Sequence, residues 1–139
     1  MKYFIALAAE TTATMEQLTL AYIDARNNYN INQLLLIPCF ILDFLCIHPF
    51  SDGNGRMSRL LSLLLLYKNG FDAGKYISFE EQINNGKADY YEALRLSSDK
   101  WHEKQNSYFP FIENFIGTSK LRTKVQIIII ITKNIVVSI

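Results

Sequence analysis

The chain has 139 residues, of which half are hydrophobic, and its 14 Lys and Arg against 13 Asp and Glu leave a formal charge of +1. That length allows one domain with a core of its own. The hydrophobic content excludes a disordered chain, and the balanced charge excludes a broad basic surface for nucleic acid.

The opening Met1 to Ala9 is apolar after one Lys, superficially like an export signal, but the apolar part is short and Glu10, Thr11 and Thr12 follow. Secretion is therefore not expected, and Tyr3, Phe4 and Ile5 read as a short extended segment packed on the domain. Thr14-Met15-Glu16-Gln17 fits a capping box, and Met15, Leu18 and Tyr22 continue at helical spacing, which predicts a first helix over Met15–Asn27. Asn27 to Asn30 is a polar break, and a second, strongly apolar helix should run from Ile31 or Asn32 to Ile47. Pro38 should bend that helix or mark its true start. Its one charge, Asp43, belongs on a wet or hydrogen-bonded face. Cys39 and Cys46, seven apart, lie two helical turns from each other and beyond disulfide reach, so they read as reduced, buried residues of a cytoplasmic protein.

The next stretch, His48-Pro49-Phe50-Ser51-Asp52-Gly53-Asn54-Gly55-Arg56-Met57-Ser58-Arg59, is dense in chemically capable side chains. Pro49 stops the preceding helix. Gly53 and Gly55 let the loop curl until successive N–H groups face one hollow at the start of the following helix, where unpaired N–H groups and the positive end of the dipole favour an anion. Arg56 and Arg59, cations in the first turn of a helix, gain nothing from the dipole there and suit a phosphate chain. Asp52 fits a Mg²⁺ held by one carboxylate, water and substrate phosphates. His48 is the group that exchanges a proton near neutrality, hence the candidate general base. Taken singly, a His at a helix end is usually a cap and Asp-Gly-Asn-Gly usually a turn; together with two arginines they describe phosphate chemistry on a nucleotide.

The helix after the loop carries leucines at 60, 61, 63, 64, 65 and 66, so it is apolar all round and reads as a buried central helix over about 57–69. Gly70 should close it, with Phe71 folding back in a Schellman contact. Ser78 to Glu81 is a second capping box, starting a helix that breaks near Asn84-Asn85-Gly86. Asp89 to Leu96 should again be helical, with Tyr90, Tyr91 and Leu94 as its apolar face. Tyr108 to Phe111 opens a last helix with Pro110 early in it.

His48 to Arg59 resembles the signature of the Fic (Fido) family, His-x-Phe-x-(Asp/Glu)-Gly-Asn-Gly-Arg-x-x-Arg, with every fixed position filled. The resemblance extends from roughly Met15 to Gly117. It implies an all-α helical bundle and transfer of AMP from ATP to a hydroxyl of a protein target, the adenylyltransferase (AMPylator) type. Carried across, His48 would take the target's proton and Phe50 would plug the loop into the core. Asp52 would bind Mg²⁺, Gly53, Asn54 and Gly55 would cradle phosphate with the Asn54 side chain contributing, and Arg56 and Arg59 would hold the phosphates. Tyr90 and Tyr91 match a pair that lines the nucleobase pocket in some members, although packing alone would also explain them. Ser98 stands where certain members place an Asn near the base. Trp101-His102-Glu103 is similar to a stretch of the same family, and His102 reads as structural rather than catalytic. Many members carry an inhibitory (Ser/Thr)-x-x-x-Glu-(Gly/Asn) helix. The nearest match here, Thr12 to Gln17, ends in Gln and reads better as the start of the first helix, so no built-in inhibitor is apparent.

The resemblance stops at Thr118, giving a Fic-like domain over 1–117 whose target-docking flap is largely missing and an atypical Lys- and Ile-rich tail over 118–139. The tail fits a read-through or frame-shifted end, with a membrane anchor as a rival reading. It is short and interrupted for a span, and rich enough in β-branched residues to aggregate. The expected partners are therefore ATP and an unidentified protein, with neither nucleic acid nor membrane. Two alternatives accompany the transferase: a non-catalytic remnant that at most binds a nucleotide or a partner, and a Fic-type enzyme that transfers another phosphate-containing group or removes AMP.

Overall fold

A computed structural model describes residues 8–71 and 83–118, and these contain five long α-helices and no strand. They are α1 (Ala8–Asn28), α2 (Gln33–Ile47), α3 (Asn54–Lys68), α4 (Lys87–Ser98) and α5 (Phe109–Thr118). The expected extended segment at Tyr3 to Ile5, the Ser78 to Glu81 capping box and the tail lie outside the described residues.

The centre of the bundle is α2, which packs against α1, α3, α4 and α5. Leu34, Ile37, Ile41 and Leu42 on it are at most 2% exposed, and each side chain so buried contributes roughly 1.5–3 kcal/mol. Asn32 caps the helix, its side chain accepting from the Leu34 N–H at 2.8 Å. The helix runs through Pro38, which is itself buried. Its stop is more specific than a proline effect. His48, held before Pro49, takes the left-handed conformation at φ 54° and donates its N–H to the Phe44 carbonyl at 3.0 Å.

The leucine-rich α3 is not the central helix expected from its composition. Leu60, Leu64 and Tyr67 form an outward stripe at 57%, 52% and 71% exposure, whereas Ser58 and Ser62 are 1% and 3% exposed. Small side chains on this face permit close approach to α2, and each hydroxyl is satisfied inside its own helix, Ser58 donating to the Gly55 carbonyl and Ser62 to the Ser58 carbonyl, both at 2.7 Å. At its end the Schellman pair appears as expected, with Phe71 N–H to Leu66 carbonyl at 3.0 Å, Gly70 N–H to Tyr67 carbonyl at 3.1 Å, and Gly70 at φ 82°.

Two other helices differ from expectation at their boundaries or faces. Helix α1 is already formed at Ala8, and Thr14 is no cap: its hydroxyl donates back to the Glu10 carbonyl at 2.7 Å, as a mid-helix threonine does. The Ala-rich run before it favours helix strongly enough to override the capping-box pattern. Helix α4 buries Ala93 and Ser97 and leaves Tyr91 55% exposed. The break near Gly86 and the early Pro110 in α5 are where the pattern placed them. No described helix is long and apolar enough to cross a membrane.

Candidate active site

The loop between α2 and α3 is tied to itself by Asn54. This residue is 4% exposed; its Nδ2 donates to the Phe50 carbonyl at 2.7 Å and its Oδ1 accepts the Phe50 N–H at 3.0 Å. The side chain expected to reach phosphate is thus engaged in shaping the loop. Phe50 does not plug the core either. Its ring is 47% exposed, 6.4 Å from that of Phe44, so the anchor is the asparagine and not the phenylalanine.

The two glycines are needed for different reasons. Gly53 caps α3 at φ 84°, a conformation costly for most side chains. Gly55 has no such dihedral; a Cβ there would stand 3.4 Å from Nη1 of Arg59, so glycine lets that guanidinium lie close to the backbone. No side chain caps the start of α3, and the first bond of the helix is Met57 N–H to Gly53 carbonyl at 2.9 Å. The first-turn N–H groups are therefore directed where an anion would sit.

The arginines part company. Arg56 is in the first turn and Arg59 in the second. Arg59 lines a cavity of about 410 Å³, shared with His48, Asn54 and Gly55 from the loop side and with Tyr90, Tyr91 and Ser98 from α4. Arg56 lies outside that lining, as do Asp52 and Gly53. Its guanidinium is 4.0 Å from the Asp52 carboxylate, both side chains largely in water. Asp52 Oδ1 accepts the Gly53 N–H at 2.8 Å, and the rest of this 94% exposed carboxylate faces solvent. Among the described residues no three His, Cys, Asp or Glu gather into a metal cluster. One exposed carboxylate in the loop fits a Mg²⁺ that keeps its water and takes its other ligands from substrate phosphates.

The tyrosines stand edge to face with centroids 5.5 Å apart, Tyr90 also packing on Phe111. The far wall comes from Asp99 and Lys100, which sequence reasoning passed over, and from Trp101 and His102, which it noted only as part of a family-like stretch. The wall is held by the lone charge of α2: Asp43 Oδ1 accepts Trp101 Nε1–H at 2.8 Å and the Tyr108 hydroxyl at 2.6 Å. Asp43 is on a hydrogen-bonded face, as its isolation in an apolar run suggested, but its partners 58 and 65 residues away gave no local signal. Burial, and then the bond to Asp43, push the Tyr108 hydroxyl pKa up.

Residues 2–66 match the Fic/DOC family. A Fido domain-containing protein of Dictyostelium discoideum is 43% identical over 61 residues, 44% of this chain and 38% of that protein. By these two findings the first half of the chain is similar to Fic/Fido domains. A ribonucleoside-diphosphate reductase small chain of Ostreid herpesvirus 1 is 66% identical over 29 residues, 21% of this chain and 5% of that one. The chain therefore matches well under half the length of either relative. The Fic/DOC match takes in α1, α2, the loop and most of α3, and ends before α4 and the far wall of the cavity. Fic/Fido proteins generally transfer nucleotidyl or other phosphate-containing groups onto proteins.

Proposed function

We propose that this chain transfers AMP from Mg-ATP to a hydroxyl side chain of a protein. The observation that carries the reading is the shared cavity: His48, Gly55 and Arg59 at one side and the tyrosine pair at the other line a single space. A proton acceptor, a phosphate cation and an aromatic surface for a base are the three parts such a transfer needs.

In this reading the target's O–H gives its proton to the His48 imidazole as its oxygen forms a bond to the α-phosphorus. The bond from that phosphorus to the bridging oxygen of the β-phosphate breaks in line, and the electron pair leaves with pyrophosphate. Arg59 and the N–H groups at the start of α3 hold the phosphates while negative charge moves toward the leaving group. Arg56, outside the cavity lining, adds long-range positive charge. Asp52 would hold Mg²⁺, whose contribution is to neutralise phosphate charge.

Intact-mass measurement on lysate proteins incubated with this chain and a panel of nucleotides tests the reading. A gain of one adenylyl group with ATP is the expected result. A different phosphate-containing increment would rename the group transferred, and tight ATP binding without any increment would reduce the chain to a binding remnant.

A further inference from the structure

The far wall of the cavity is a sharply folded turn between α4 and α5. Lys100 and Lys104 both take left-handed conformations, at φ 60° and 57°, which lysines adopt only when surroundings hold them there. Gln105 N–H bonds to the Lys100 carbonyl at 3.1 Å and Lys104 N–H to the Trp101 carbonyl at 3.0 Å, so the turn is closed on itself. Its attachments to the bundle include Asn106 Nδ2 to the Ser97 carbonyl at 3.0 Å, beside the two bonds that converge on Asp43 Oδ1. Helix α2 thus carries His48 at its C-terminal end and, five residues earlier, the anchor for the opposite wall.

We propose that Asp43 is a positioning residue for the cavity, acting through Trp101 and Tyr108 to hold the 99–102 wall at the distance a nucleotide requires. The inference rests on reading this cavity as the nucleotide site. A single carboxylate oxygen receiving an indole N–H and a phenol O–H fixes the turn from both ends, because Trp101 lies near its beginning and Tyr108 at its close. One helix therefore sets the separation between general base and far wall, and tilting either would move the other.

The chain has one tryptophan, and it is this one, so the wall reports on itself. The test compares acrylamide quenching of Trp101 emission, which needs no ligand, with the ATP dissociation constant from equilibrium dialysis, in wild type, Asp43→Ala and Asp43→Asn. Asp43→Ala is expected to raise the quenching constant about twofold and weaken ATP binding about tenfold, as two hydrogen bonds are lost. Asp43→Asn keeps an acceptor oxygen and should rescue both. Leu63→Ala, a core truncation, should lower the melting temperature while leaving native-state quenching at the wild-type value. Wild-type quenching in Asp43→Ala would overturn the proposal, and so would raised quenching with unaltered ATP affinity. If Asp43→Ala does not fold, Tyr108→Phe removes one donor only, and the same two measurements apply with smaller shifts. A wild-type chain that binds no ATP would refute the transferase reading, while the quenching comparison would still decide whether Asp43 holds the wall.

Discussion

At the scale of single residues, the loop 48–56 assigns distinct work to side chains that look equivalent in the motif. Asn54 closes the loop, and Asn54→Ala should cost about 1–3 kcal/mol for its two bonds to Phe50. Asn54→Asp should cost more, since a carboxylate facing the Phe50 carbonyl replaces a donor with a repelling acceptor; urea denaturation of the two variants gives the order, and the reverse order would refute the role. His48 sits at φ 54°, so Ala there would mix backbone strain with lost chemistry. His48→Asn tolerates that dihedral, and it should reduce transfer by about 10²-fold or more while ATP affinity is retained. Equal loss of binding and transfer would make His48 structural. Asp52→Ala should abolish the Mg²⁺ dependence of nucleotide binding, because no other carboxylate is in the loop 48–59; an unchanged Mg²⁺ titration with a fluorescent ATP analogue would refute its metal role.

At the scale of helices, the informative contrast is within α3, where the serines are buried and Leu60 and Leu64 face water. Adding volume at the packed face should be the costly change. Ser62→Leu is expected to lose about 1–3 kcal/mol by overpacking against α2, and Leu64→Ser no more than about 0.5 kcal/mol. Equal losses in urea would contradict the packing. This contrast also shows why part of the fold was illegible. Apolar patterning pointed to α1, α2, α3 and α4, the polar run 27–30 placed the start of α2, and Gly70-Phe71 and Pro110 signalled helix ends by local rules. A helix rich in leucine on every face, however, carries no record of which face its neighbours occupy, and nothing local marks Ser58 and Ser62 as buried, since their hydroxyls are satisfied within the helix itself. Helix α1 was misread at its start for a related reason, since a capping box is recognised by spacing alone. Its Glu16 lines an open groove with Pro49 and Phe50, separate from the cavity that holds Arg59. Glu16→Gly should therefore cost about 1 kcal/mol of helix stability yet leave transfer unchanged. A large rise in transfer would mark Glu16 as an inhibitory residue.

At the scale of the whole molecule, the motif pointed to a nucleotide site because its residues are contiguous, but more than half of the cavity lining comes from α4 and the turn after it, 31 to 54 residues downstream of the motif. What joins the halves is α2, and its near-uniform burial has a measurable electrostatic consequence. Burial, reinforced by the charge of Asp43, pushes the Cys39 thiol up to about 11 and the Cys46 thiol up to about 12. Burial likewise raises the Tyr22 and Tyr108 hydroxyls. An unfolded chain releases its thiol protons above pH 9.0, whereas the folded chain retains them until about pH 11 to 12. In that interval the unfolded state binds fewer protons, so stability falls as pH rises. It is fully present below pH 9.0 and declines progressively toward pH 12. Replacing both cysteines by alanine should lower stability at pH 7 through lost packing, but it should also flatten the alkaline decline, because only the tyrosine contributions persist. Urea denaturation at intervals from pH 7 to pH 11 measures both curves. Parallel curves would mean that the thiols titrate alike in the folded and unfolded chain, and that α2 is wetter along its Cys39 and Cys46 face than its packing indicates.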